Sequence, residues 1–547
     1  MKGVDQEEIS RRRGIYFQGF GIYGGLSGLF DFGPYGSRMK DKIIRTWKET
    51  MLSEGNIAEF DGTTITHSQV LKASGHYDRF FDFSVQCKKC GTKYRADDLI
   101  EKKGVTVILD RDWLQNKIIE LGIKCEKCNG DLGEVKIQKL MFQVDQGEGS
   151  EPLFLRPETA QGMFINFKEY YRFFREKLPF AIITVGRGYR NEISPRRALY
   201  RLREFNMMEC ESFFDPQNER WVRDPEDSIA VTFLTNEGKE LKASPREAYE
   251  KGIVKSHPMA YFMGLALRFY STIGIDLGRI RFRQHRKEEL SHYSSETWDA
   301  ESLTDLGWIE ITGIAHRGTF DLTNHIKASG KDLYAQRVIP KKEVMERKKE
   351  INYQKIKAEF PEGSSKIIAA MKEGAKNVSI DGKNIDLERF LIEKEEKVVV
   401  DRENFIPVVI EPAFGLDRII YTILDHNLSI REDSGYVCLK IPYSISPYDA
   451  AILPLMARDG LDVKANAIFE DLLKQKFSVL YDDSGSIGKR YSRYDEVGIL
   501  YCITIDYDTL KNGEVTIRHR DTREQIRIKI GDIPDYLGRN PWNGKLS

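Results

Sequence analysis

Six arginines, no lysine and a single acid, Glu192, fall between Arg187 and Arg203. Solvated basic surfaces mix in lysine, whereas arginine alone is favoured where a planar fork must grip phosphate or carboxylate oxygens two at a time. On a strand beginning near Tyr200, alternation puts Arg201, Arg203, Phe205, Met207, Glu209 and Glu211 on one face. That face runs from positive through aromatic to negative. It matches a ligand with phosphates and a flat base at one end and a cation at the other, such as ATP beside the ammonium of an amino acid. A salt-bridged surface hairpin would have the same composition.

Three further acids stand where a carboxylate needs a reason. Glu158 follows Arg156-Pro157 just before a helical pattern; a helix-start acid is the ordinary reading, a fixed ligand the other. Glu310 interrupts the apolar run Trp308-Ile309-Glu310-Ile311-Thr312 and there requires a partner, a metal or a cationic ligand. Glu411 opens Glu411-Pro412-Ala413-Phe414-Gly415-Leu416-Asp417-Arg418, which reads as a strand end, a glycine turn and an arginine one turn into a helix. That pattern suits a phosphate, or only a structural turn. Cys87-Lys88-Lys89-Cys90 and Cys125-Glu126-Lys127-Cys128 are two knuckles, each followed by turn formers, and their spacing points to a closed structural zinc site rather than a catalytic one.

The elements that must position these groups are legible in outline. Arg38 to Leu52 is a helical pattern with Ile43, Ile44 and Trp47 on one side. A second helix is expected from Thr159 to Lys177, with Met163, Phe164, Phe167, Tyr170, Tyr171 and Phe174 on one face. Residues 180 to 214 read as two strands joined by a loop at Ile193 to Leu199, Phe405 to Ile410 as a buried strand, and Leu416 to Leu424 as a helix. After Asp433 short strands and helices alternate, as in a separate α/β domain. The expected division is 1–84, a cysteine insert at 85–135, 136–324, a Lys/Glu-rich surface insertion at 325–400, 401–434, and an α/β domain at 435–547.

Composition narrows the class. The 84 lysines and arginines balance the 84 acids, so RNA contacts would depend on local charge. The C-terminal residues 441–547 hold 15 basic and 16 acidic residues, with only Lys511 to Lys529 locally basic. Met1 to Arg13 lacks the apolar centre of a secretory leader, and no run reaches the ~18 apolar residues of a membrane span. Seven cysteines, an odd number, fit a reducing compartment, and a cytoplasmic setting is expected. Gly19-x-Gly21-x-x-Gly24 resembles a dinucleotide fingerprint, but further glycines and Pro34 follow it instead of a helix. The histidines show no metal-ligand spacing, and His292 and His316 receive no role.

Taken in order, several strings resemble glycyl-tRNA synthetase, a class II aminoacyl-tRNA synthetase family, over nearly the whole chain. They are Tyr23-Gly24-Gly25-Leu26-Ser27-Gly28, Asp31-Phe32-Gly33-Pro34, Ser74-Gly75-His76, Arg95-Ala96-Asp97 and Phe154 to Gly162. Gly188 to Arg196, Arg203-Glu204-Phe205, Trp298-Asp299-Ala300-Glu301, Gly307-Trp308-Ile309-Glu310 and Glu411 to Gly415 with Arg418 continue the series. The resemblance implies an α+β fold: an antiparallel catalytic sheet flanked by helices, a zinc-ribbon-like insert and a C-terminal anticodon-binding domain. It also implies a homodimer built on the glycine-proline helix start.

Its implied chemistry is activation of glycine by ATP and transfer to tRNA(Gly). Arg190, Glu192 and Arg418 would be catalytic. Arg190, Asn191, Glu192, Tyr200, Arg201, Leu202, Arg203, Glu204, Phe205, Glu310, Ile311, Gly415 and Arg418 would bind ATP, with Arg190 at the α-phosphate and adenine between Phe205 and Arg418. Arg95, Glu158, Phe205, Glu209, Glu411, Ala413 and Gly415 would enclose glycine, and Glu310 and Glu411 would lie near magnesium. One position departs: similar enzymes often carry serine where Ala413 stands, so a hydroxyl contact to the amino group is missing. Glycine would be selected sterically, so no editing activity is expected of 325–400. An accessory subunit without catalysis would be expected to lose Arg190 and Arg418, whereas a class II enzyme for another small amino acid is the alternative that Ala413 leaves open.

Overall fold

The computed structural model describes residues 5–147, 151–195, 198–290, 294–380 and 382–539. Arg196, Arg197 and His292 lie outside them. No helix among the described residues is long and apolar enough to cross a membrane.

A nine-stranded sheet carries the chemistry. Its order is Glu240–Ala243, Val231–Leu234, Ile280–Gln284, Glu296–Thr304, Gly307–Gly318, Val408–Gly415, Glu204–Phe214, Phe180–Tyr189 and Ile57–Glu59. All neighbours are antiparallel except Val231–Leu234 with Ile280–Gln284, and Phe180–Tyr189 with Ile57–Glu59. The expected antiparallel α+β core is therefore present. The helix His257–Thr272 is apolar nearly all round and is accordingly buried, packing against Pro34–Leu52 and the strands Gly307–Gly318 and Val408–Gly415 in the main core.

The helix Pro34–Leu52 starts with proline at its first turn and buries Ile43 and Trp47, while Ile44 is half-buried. The Trp47 ring meets Phe414 edge-on, with centroids 5.7 Å apart. Near the start of the same helix, Arg38 lies 4.3 Å over the Tyr448 ring and Lys42 pairs with Asp449 at 3.1 Å. The C-terminal region forms a five-stranded mixed sheet, with Val479–Tyr481, Ala450–Pro454 and Tyr501–Ile505 parallel and Glu514–His519 and Gln525–Lys529 antiparallel. Helices Leu461–Lys474 and Ile487–Glu496 accompany it.

Several elements differ from the sequence expectation. Thr159 to Lys177 is two short helices, Ala160–Ile165 and Phe167–Phe173, because Asn166 leaves helical geometry and its side-chain amide donates back to the Gly162 carbonyl at 2.8 Å. The strand expected from Tyr200 begins at Glu204, so Arg201 and Arg203 lie in the preceding loop. Phe405 ends a different strand, and Val408–Gly415 runs on through Pro412, which places Glu411 in mid-strand rather than at a strand end.

The cysteine insert is built on a three-stranded sheet, Phe81–Gln86, Lys93–Arg95 and Lys136–Lys139, with helices Ala96–Glu101 and Arg111–Glu120. Tyr334–Phe405 forms a second compact unit, where the sequence suggested a Lys/Glu-rich surface insertion at 325–400 with weak strand signals. It is a long antiparallel ribbon, Ala335–Ile351 with Leu391–Phe405, carrying two short helices and a hairpin. Ile356, Ile367, Ile385, Leu387 and Phe390 give that unit a core of its own.

Candidate active site

Sheet register sets the floor of a cavity of about 530 Å³. Asp299 pairs with Gly313, Gly313 with Ala413, and Ala413 with Glu209, so one row across four strands has two small residues between two acids. A neighbouring row runs Thr297, Ala315, Glu411. Period-two alternation gives the strand Glu204–Phe214 Phe205, Met207, Glu209 and Glu211 on one face, and the first three line the cavity with Asn206. Gly188 lets the Phe205 ring lie flat on the sheet; a Cβ there would stand 2.6 Å from the ring.

One end of the cavity is cationic. Arg190 Cζ lies 5.2 Å from the Phe205 ring centroid and 5.4 Å from that of Phe80, and its Nε donates to the Pro157 carbonyl at 3.2 Å. Among the described residues neither Arg190 nor Arg201 is paired with a carboxylate, which leaves both available to an anionic ligand. Arg418 donates from Nη1 to Glu310 Oε2 at 2.9 Å and from Nε to the Tyr200 carbonyl at 3.1 Å. Desolvation pulls the Glu310 carboxyl up, but Arg418, with His285 and Arg190, outweighs it and holds the group below the usual carboxylate range. Asp417, one residue before Arg418, accepts from the Asn206 backbone at 2.6 Å and its side chain at 2.9 Å, which locks the arginine-bearing helix to the aromatic strand. Burial pushes the Asp417 carboxyl up to about 6.

The other end is acidic. Arg317, 1% exposed, donates to Glu411 Oε2 at 2.7 Å and to both oxygens of Asp321 at 2.7 and 3.0 Å, and it lies 4.0 Å from Glu158. Burial pushes Glu158 up, but His76 at 3.4 Å, Arg317 and a 2.8 Å bond from Gln161 together hold it below the usual range. Glu209 accepts from the Thr159 backbone at 3.0 Å and from the Thr159 hydroxyl. Burial, with Glu411 and Glu158 beside it, pushes its carboxyl up to about 8. Glu411 is raised by burial and Glu158 against the pull of Arg317. Behind them Glu211 is fully buried with both oxygens unpaired, and burial with Glu411 raises it far above its ordinary value. A buried cluster with this excess of acid over base is matched to a small cation.

Of the residues expected at the site, Arg95, Glu158, Arg190, Glu192, Tyr200, Arg201, Leu202, Phe205, Glu209, Glu310, Ile311, Glu411, Ala413, Gly415 and Arg418 line the cavity. Asn191, Arg203 and Glu204 do not. Arg203 donates to the carbonyls of Glu192 and Ser27, and Glu204 pairs with Arg187 on the outer surface. Arg95 reaches the cavity from the cysteine insert, held by Asp82 at 3.3 Å and by Asp97. Sequence reasoning missed Arg317, Asp321, His325 and His285. The signal for the first two was present: Arg317 and Asp321 are spaced i,i+4 where a strand passes into a helix.

Two groupings could hold metal. The four thiols Cys87, Cys90, Cys125 and Cys128 lie within 4.8 Å of one another, with sulfurs of Cys87 and Cys128, and of Cys90 and Cys125, 3.5 Å apart. These spacings exceed a disulfide's ~2.0 Å and approach the edge of a tetrahedron with ~2.3 Å metal–sulfur bonds. Backbone N–H groups of Lys89 and Cys90 donate to Cys87 Sγ at 3.4 and 3.5 Å, the surroundings of a thiolate. At the cavity, a Cβ at Gly313 would lie 3.6 Å from Glu310 Oε1 and 4.0 Å from Asp299 Oδ1, so two acids overlook bare backbone. His285 Nε2 lies 2.8 Å from the accepting Asp299 Oδ2 beside them.

A polar cavity on a mostly antiparallel sheet, between an arginine-bearing hairpin and an arginine-bearing helix, is the arrangement of a class II aminoacyl-tRNA synthetase core. A family model for the tRNA synthetase class II core domain (G, H, P, S and T) matches residues 142–235, and one for an anticodon binding domain matches 449–540. Giardia lamblia prolyl-tRNA synthetase in complex with prolyl-adenylate shares the fold with a TM-score of 0.54 at 14% identity, over 98% of this chain and 78% of that one. Glycine--tRNA ligase of Pyrococcus furiosus is 41% identical and that of Methanocaldococcus jannaschii 40%, each over 97% of this chain and 97% of its own length. The chain belongs to the glycine--tRNA ligase family.

Proposed function

We propose that the protein joins glycine to the 3′ end of tRNA(Gly) in two steps. The carrying observation is the polarity of one cavity. Unpaired arginines and an aromatic ring lie at one end, and buried acids converge on Arg317 at the other, above a floor of Gly313 and Ala413.

In the first step the glycine carboxylate attacks the α-phosphorus of ATP, the P–O bond to pyrophosphate breaks, and glycyl-adenylate forms. Two anions must be brought together, so charge neutralisation and positioning dominate. Arg190 serves the α-phosphate, Phe205 stacks on adenine, and Arg418 covers the nucleotide and approaches its terminal phosphate. Tyr200, Arg201, Leu202, Ile311 and Gly415 complete that subsite. Glu158, Glu209 and Glu411 receive the glycine ammonium, and their crowding excludes a β-carbon, with Arg95 closing the pocket from the insert. In the second step a ribose hydroxyl of the tRNA attacks the adenylate carbonyl, AMP leaves with the bonding pair, and the hydroxyl proton passes to solvent.

Magnesium bound with ATP would supply charge neutralisation of the phosphates, and Glu310, Glu411 and Asp299, which all line the cavity, are the acids that would hold it. The four cysteines would hold structural zinc, with no open ligand position and no catalytic step. The C-terminal domain would read anticodon bases as splayed single strands. A homodimer in the cytoplasm completes the reading. ATP–pyrophosphate exchange across a panel of amino acids tests it. Glycine alone should support exchange; exchange driven by another amino acid, or by none, would overturn it.

A further inference from the structure

Glu158 and Glu411 face the amino-acid end of the cavity from different segments, one from the turn before Ala160–Ile165 and the other from mid-strand. They are joined by an unbroken chain of side-chain bonds. Gln161 Nε2 donates to Glu158 Oε1 at 2.8 Å and to Asp321 Oδ1 at 3.1 Å. Asp321 accepts from Arg317 at 2.7 and 3.0 Å, and Arg317 donates to Glu411 at 2.7 Å. Gln161, Asp321 and Arg317 are all buried. Gln161 is the only neutral link of the three, and like Arg317 it bridges two carboxylates.

An amide placed between two acids has to present its nitrogen to both. His325 Nε2 lies 2.9 Å from Gln161 Oε1 and satisfies the amide oxygen. Burial lowers the His325 imidazole from its ordinary value, which favours the neutral ring with one N–H to give. With that proton on Nε2, the amide cannot flip without setting its oxygen against Glu158 and its NH₂ against the N–H of His325. The orientation of Gln161 is thus imposed from outside the cavity by a residue on the helix Phe320–Ser329.

We propose that Gln161 is a specificity-positioning residue, a neutral bracket that fixes the separation of Glu158 and Glu411 so that the space between them accepts an ammonium on an unsubstituted carbon. The proposal rests on the glycine reading above. Gln161 touches no reacting atom; it acts through Glu158 and through the Asp321–Arg317–Glu411 chain.

The test is ATP–pyrophosphate exchange with glycine and with alanine for the wild type, Gln161→Met and His325→Phe. Methionine approximates the volume of glutamine and donates nothing; phenylalanine at 325 leaves Gln161 in place but frees its amide to flip. Gln161→Met is expected to raise the KM for glycine about tenfold or more, the loss typical of a hydrogen bond to a charged group, with the KM for ATP within about twofold. It should also erode the preference for glycine over alanine in kcat/KM by about tenfold. His325→Phe should move both quantities in the same direction by less, and it carries the test if Gln161→Met does not fold. An unchanged glycine KM and unchanged selectivity overturn the proposal, as does an equal rise in the KM for ATP. Absence of glycine-dependent exchange in the wild type would instead overturn the functional reading.

Discussion

Arg317 and Glu411 form a 2.7 Å ion pair with almost no access to water, and the same guanidinium grips Asp321 from its other side. One buried cation therefore balances two acids directly and a third, Glu158, at 4.0 Å. Arg317→Met should leave these carboxylates uncompensated and destabilise the fold by about 3–5 kcal/mol. Thermal unfolding reads the loss. Arg317→Lys should recover only part of it, because a single ammonium cannot reproduce the fork.

Glu158→Gln keeps the shape of the pocket wall and removes its charge. The KM for glycine is expected to rise between about tenfold and a hundredfold, the range for a lost charge-assisted contact, while ATP binding stays near that of the wild type. An exchange assay titrated separately in glycine and ATP distinguishes the two.

Glu209 links the site to pH. Its carboxyl is raised from 4.5 to about 8 by burial, by Glu411 and by Glu158, against opposing contributions from Thr159 and Arg317, with Glu211 on the same strand face. Because the folded value is the higher one, its contribution to stability is complete below 4.5 and is lost as pH rises through 8. A glycine ammonium favours the ionised acid, so the KM for glycine should fall across that window while the free protein loses stability. Glu209→Gln should flatten both trends, measured by exchange kinetics and thermal melts over the same pH series.

Arg95 ties the cysteine insert to the cavity. Cys125→Ser, or chelation, should release metal measurable by atomic absorption, loosen the Phe81–Gln86 and Lys93–Arg95 strands, and lower glycine-dependent exchange. Retention of full exchange after complete metal loss would contradict this coupling.

How much of this was legible in the sequence depended on whether the signal was local. The helix Pro34–Leu52 was readable within a few residues because proline sets its start and an apolar stripe sets its face. The acids on Glu204–Phe214 were readable because alternation is a local rule. The start of that strand was not: Arg203 donates to the carbonyls of Ser27 and Glu192, and these non-local bonds hold the loop out of the sheet. Glu411 looked like an acid at a strand's end because a proline and a glycine turn follow it. The strand tolerates the proline in a row whose remaining pairs on both sides hold the register. Arg317 was missed because one charged residue at a strand end looks like surface, and only the sheet register brings it to Glu411.

The helix Pro34–Leu52 touches Tyr448 and Asp449 near its beginning and Phe414, flanked by the cavity residues Ala413 and Gly415, near its end. Lys42 and Trp47 are five residues apart, about 7–8 Å at the rise of an α-helix. The same short stretch of helix therefore contacts both the C-terminal domain and Phe414. The back wall beside Ala413 thus rests on a helix that also touches a domain none of whose described residues lines the cavity.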